Sequence, residues 1–335
     1  MILTLALSSI PVLADVAADD AGDSDNKIKT LVVLGDFISS SLSVEPSAQD
    51  VGDIAPASYA DLVAEELSLK HGEGYFNYAV SGSDSQSVLD GLCGAYGDEK
   101  LANIARADVV MITVGGNELV ALLLPKLVKI LGLDDGARIS DVISALSGTE
   151  EDKLDEVSKN LVAFSKDNET DIRAVTEKYG KNLKDILDKL KTLAPSAQIF
   201  LQTVYDPLID MPEYKLVKAL EGGVMKKLVA DMNNIIVEAA KEKGAHVVDV
   251  AYEFSGRRND CTNIEALSIL PNPYGHSLIA DSLLYEIEEV FGDLADDGSD
   301  FAEPKDLWIY FAAAIAIVAL ATPIVVFFAR RSSGV

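Results

Sequence analysis

The sequence predicts an α/β domain, a five-stranded parallel sheet covered by helices in three layers, followed by a C-terminal transmembrane helix. Three observations carry this. Apolar runs alternate with stretches of helical periodicity between residues 28 and 292, the pattern of strand–helix–strand crossovers. The first run, Leu31–Leu34, is unbroken and ends at Gly35, as suits a strand buried on both faces. The third is Leu307–Ala329, which holds no charged residue and is long enough to cross a hydrocarbon core.

Taken in order, Ile2–Leu13 is almost wholly apolar and Val12-Leu13-Ala14 has the small-residue pattern of a cleavage site, so residues 1–14 read as a signal peptide. Residues 15–27 are an acidic linker. After the first strand, Ser58 caps a helix bearing Tyr59, Leu62, Val63 and Leu67 at helical spacing. Tyr75–Val80 is a second strand and Val109–Val114 a third. Residues 119–170 are too long for an ordinary connection and form a helical insertion or cap. Ile172, Val175, Tyr179, Leu183, Ile186, Leu187 and Leu190 line one helix face, which stops before Pro195. Ile199–Val204 is a strand, Val224–Lys243 a helix, His246–Val250 the fifth strand, and a last helix runs from about Tyr274 to Val290.

Residues 293–306 form an acidic juxtamembrane linker. Trp308 and Tyr310 stand at the start of the span 307–329, and Arg330 and Arg331 follow it, so the tail 330–335 is cytoplasmic by the positive-inside rule. The expected location is the cell membrane, single-pass, with the domain on the extracellular side.

The charge fits that arrangement. The chain has 28 Lys and Arg against 54 Asp and Glu, a net −26. Setting aside the two tail arginines, the exported body carries −28. Such acidity excludes a nucleic-acid partner, whose phosphates it would repel. A hydrophobic content of 49% excludes wholesale disorder. Two cysteines and three histidines are too few for a Cys-based zinc site or a His-rich metal centre, and no cofactor is expected.

In a parallel sheet, ligands bind beyond the carboxyl ends of the strands. The segments there are Gly35-Asp36-Phe37-Ile38-Ser39-Ser40, Ser81-Gly82-Ser83-Asp84-Ser85 and Gly115-Gly116-Asn117-Glu118, with Leu267-Ser268-Ile269-Leu270-Pro271-Asn272 before the last helix. In this order they resemble the four signature blocks of the SGNH (GDSL-type) esterase and lipase family. The resemblance spans about residues 28–292 and implies a flavodoxin-like fold. It also implies a serine nucleophile in the first block, a Gly and an Asn of the oxyanion hole in the second and third, and Asp and His in the fourth. A serine needs a base, the base an orienting carboxylate, and the oxyanion preorganised donors.

Position by position, Gly82 and Asn117 stand at the oxyanion positions. The nucleophile position is Phe37, the base position Leu270, and the carboxylate position Leu267 or, under a shorter spacing, Ser268. None can do the chemistry, and replacements of this kind read as a filled pocket. Ser39 and Ser40 read as capping or surface residues, and Asp36 as a cap of the turn after the first strand. Glu118 stands where the family often has Asp. His276 resembles a second His of the last block, with Asp281 about a turn later; His246 and His71 lie at a strand start and in a loop.

With the body exported, Cys93 and Cys261 can form a disulfide, since their blocks converge at one end of the sheet; two separate buried thiols are the alternative. Asn168-Glu169-Thr170 fits the glycosylation pattern. The reading is a membrane-anchored pseudo-hydrolase that binds an acyl or glycan ligand, or serves a structural role with the cleft closed. The alternative is an active esterase or carbohydrate deacetylase using other residues.

Overall fold

Five apolar runs become five parallel strands in the computed structural model, which describes residues 28–40, 57–147, 149–206, 224–263 and 268–292. They are β1 (Leu31–Gly35), β2 (Tyr75–Asn77), β3 (Val109–Thr113), β4 (Gln198–Gln202) and β5 (His246–Val248). The sheet order is β2-β1-β3-β4-β5. The chain reverses direction across the sheet between β1 and β3, and such a switch point opens a crevice at the strands' carboxyl ends. The central strands β1 and β3 are buried at every residue, as their unbroken apolar sequences require.

The helices are α1 (Tyr59–Glu66), α2 (Ser85–Asp90), α3 (Asp98–Ala105), α4 (Gly116–Leu131), α5 (Ile139–Ser147), α6 (Glu151–Asp167), α7 (Glu169–Leu193), α8 (Val224–Lys243), α9 (Val250–Glu253), α10 (Arg258–Cys261) and α11 (Pro273–Phe291). Helix α7 buries Tyr179, Leu183, Ile186, Leu187 and Leu190, the stripe read from the sequence. It packs against α2 and α8, while α1 packs against α11. Val32, Leu34, Val110, Ile112 and Leu201 join the core with α7 and α8. Alternation then turns Leu31, Val33, Met111 and Phe200 to the other face. Ser58 caps α1 in a capping box with Asp61.

Strand β2 ends at Asn77 rather than Val80. The Asn77 amide donates to the Ser39 carbonyl at 2.7 Å and its side-chain carbonyl accepts the Ala79 N–H; the Tyr78 and Val80 N–H groups still donate to the Val33 and Gly35 carbonyls, while the Val80 side chain is exposed. The insertion is helical, comprising α4, α5 and α6. These helices have a core of their own around Val142, Leu146, Leu154 and Leu161.

The chain divides into two compact units, Met1–Gly292 and Asp293–Val335. All described elements belong to the first, which with its own cores can fold alone. Among the described residues no helix is long and apolar enough to cross a membrane. The expected signal peptide 1–14, linkers 15–27 and 293–306, span 307–329 and tail 330–335 lie outside the described residues.

Candidate functional site

The site is built where β1 and β3 end. Gly35 leaves β1 with φ of 132°, and a Cβ there would overlap the Thr113 carbonyl, so only glycine lets the first turn lie this close to β3. The turn is fixed by Asp36, whose N–H donates to the Thr113 carbonyl and whose carboxylate accepts the Ile38 N–H at 3.1 Å. Asp36 is 1% exposed. Burial pushes its carboxyl up to about 7, against the Ile38 and Thr113 hydrogen bonds and with help from the nearby Glu118 charge. Gly115, two residues past β3 and the N-cap of α4, has φ of 120° and brings the start of α4 against Val204.

Phe37, the residue this turn presents, borders an apolar cavity of about 120 Å³. Leu119, Leu123, Val142, Leu146 and Val204 line it with Phe37. Among the described residues Tyr205 is the only lining residue with a polar side-chain atom, and its hydroxyl donates to the Ile269 carbonyl at 2.7 Å. Burial raises the Tyr205 hydroxyl well above its usual range, so it stays a neutral donor. Among the described residues a cavity therefore remains beside Phe37, where the sequence reading expects a filled pocket. Phe37 forms part of its wall.

The other triad positions are not gathered there. Leu270 and Ser268 do not line the cavity; their neighbour Ile269 does. The Leu270 carbonyl accepts the Asn263 N–H, and the Leu270 N–H donates to the Ser268 hydroxyl at 3.3 Å. These bonds hold the segment with Ile269 turned to the cavity. Leu267 lies outside the described residues. Gly82 and Asn117 are brought near each other: the Asn117 amide donates to the Ser83 carbonyl at 2.6 Å. Neither lines the cavity.

Among the described residues no rescuing group lines it. Ser39 is buried in a hydroxyl cluster with Tyr59 and Thr113, and the Ser40 hydroxyl donates to the Phe37 carbonyl. His276, 1% exposed, accepts the Tyr59 N–H through Nδ1 at 3.2 Å and so completes the N-terminus of α1. Burial holds its imidazole down at about 4, neutral at pH 7. His246 pairs with Gln198. Glu118 accepts the Ser85 N–H through Oε1, while Oε2 is buried with no hydrogen-bond partner among the described residues. The expected disulfide is absent: Cys93 is exposed and Cys261 buried. Cys93 lies in the π turn Gly91–Ala95 beside α7 and Cys261 ends α10 against α11, so the two thiols sit on different helices. The Asn168 amide donates to the Phe164 carbonyl.

The model of the GDSL-like lipase/acylhydrolase family matches residues 34–278. The chain belongs to this family. Among solved structures, the lipase Lip_vut3 from a goat-rumen metagenome is similar over 79% of this chain and 99% of its own, with TM-score 0.50 and 15% identity. An extracellular lipase from Streptomyces rimosus matches over 77% and 99%, with TM-score 0.47 and 19% identity. No curated protein matches. This GDSL-family domain has the α/β fold with a five-stranded parallel sheet that such hydrolases share, while the turn after its first strand presents phenylalanine.

The cavity lining was only partly visible in the sequence. Ile139, Val142, Ile143 and Leu146 follow helical spacing, which signals an amphipathic helix. It does not signal that the helix covers the first block.

Proposed function

We propose that this GDSL-family domain binds an apolar chain and does not hydrolyse it. One observation carries the reading: Phe37, where the resemblance places the nucleophile, is a wall of an apolar cavity. A lining that, among the described residues, has no spare side-chain donors or acceptors favours an acyl chain over a glycan, whose hydroxyls would be buried unpaired. Its volume is comparable with an apolar cavity of about 150 Å³ that stays dry and admits benzene. It therefore suits an aliphatic chain end, with any polar head left outside.

Catalysis lacks its parts. Without a triad, the residual effect of oxyanion donors and binding leaves a barrier roughly 4–8 kcal/mol above that of an intact hydrolase. An esterase built on Ser39, Ser40 or His276 draws no support from their positions, since each is tied into backbone or hydroxyl contacts. We place the domain on the extracellular face of the cell membrane, held by the uncharged segment Leu307–Ala329 and oriented by Arg330 and Arg331.

Incubation with a fluorophosphonate probe followed by intact-mass measurement tests the absence of hydrolase chemistry. The protein is expected to keep its mass under conditions that fully modify an active family lipase. An adduct mapped to one serine would sink the reading.

A further inference from the structure

The cavity lies on the seam between two separate cores, and the chain crosses that seam twice at neighbouring points. On α4, Leu119 and Leu123 belong to the main core, whereas Val128 belongs to the core shared with α5 and α6. Between them stands Pro125, inside the helix. Its ring removes the hydrogen bond to the carbonyl four residues back and crowds that carbonyl, which weakens the helix at this point. On α6 the division recurs one turn apart: Leu161 packs in the cap core and Phe164 in the main core. The Lys126 ammonium lies 5.2 Å from the centre of the Phe164 ring, so the two crossings sit side by side.

The chain of residues 126–161 enters and leaves the body at these two crossings, and among the described residues outside the lid and its crossing helices Ile269 also packs against its core. Two adjacent connections define one axis, and a packed unit attached along one edge turns about it. The cavity is walled on the body side by Phe37, Val204 and Val229, and on the cap side by Leu127, Ile139 and Val142. Ile269 leans on the cap core from the fourth-block segment and gives the body's contact to the closed cap.

We propose that the cap is a lid that turns about an axis through Pro125 and Phe164 and so admits the apolar chain. This rests on the cavity being a binding site. Opening separates apolar walls, which disfavours it in the empty protein; a chain that fills the cavity restores the buried contacts and holds the lid shut.

Hydrogen exchange on the full chain without ligand tests the lid. Amides of 127–147 and 151–161 are expected to be at least about tenfold less protected than those of Leu183–Leu190 in α7, because the lid opens without the body. Pro125→Ala restores a helical bond and is expected to raise lid protection by about tenfold. Equal protection of lid and α7 would overturn the proposal. A second readout uses Ile143→Cys combined with Cys93→Ser, with buried Cys261 reporting opening of the body. Modification of the new thiol well before Cys261 is the expected result; modification of both together would overturn the lid. Neither readout depends on whether the cavity binds anything.

Discussion

Replacing Asp36 with Asn is expected to remove most of one large pH-dependent loss of stability. The Asp36 carboxyl is buried and pushed up to about 7 from 3.8. Between those two values the folded protein holds this proton and the unfolded chain releases it. Stability contributed by the group is therefore full below the lower value and falls as pH rises through the upper one. At about 1.4 kcal/mol for each pH unit of that window, the loss comes to about 4 kcal/mol. Asn cannot ionise, and its side-chain oxygen can still accept the Ile38 N–H. Urea unfolding at about pH 4 and about pH 8 should show the variant gaining roughly 4 kcal/mol on the parent across the range. Parallel stability curves would contradict the burial that raises the Asp36 carboxyl.

Leu146→Ala is expected to cost about 3 kcal/mol. Leu146 is 1% exposed, packs in the cap core and borders the cavity. Truncation adds a void to an existing one, and the helices around it are held by their own packing, so collapse is incomplete and the cost stays high. Thermal or urea unfolding followed by circular dichroism measures it. A loss below about 1 kcal/mol would mean that Leu146 is not enclosed as described.

The sheet was legible because its strands are short apolar runs that end in glycine or polar turns. The bounds of Val224–Lys243 agree with the sequence reading, since apolar periodicity and the glycines at 222, 223 and 244 mark both ends. The sequence reading carries β2 on to Val80; the Tyr78 and Val80 N–H groups do bond β1 carbonyls, but the regular strand stops at Asn77, whose side chain is tied to Ser39 and Ala79.

The site was legible only in part. The first-block turn could be located, but whether Phe37 fills or lines a pocket depends on Leu146, Val204 and Val229, residues far from it in sequence. Likewise, nothing local says that Ile269 rather than Leu270 faces the cavity. That is set by the hydrogen bonds of Leu270 to Asn263 and Ser268.

The most direct test is a titration of residues 28–292, free of the apolar C-terminal segment, with the neutral dye N-phenyl-1-naphthylamine. A fatty-acid methyl ester serves as competitor and is analysed by mass afterwards. The account predicts saturable, blue-shifted fluorescence from one site, displaced by an ester that is recovered intact. Absence of saturable binding, or conversion of the ester to free acid above the buffer rate, would contradict it.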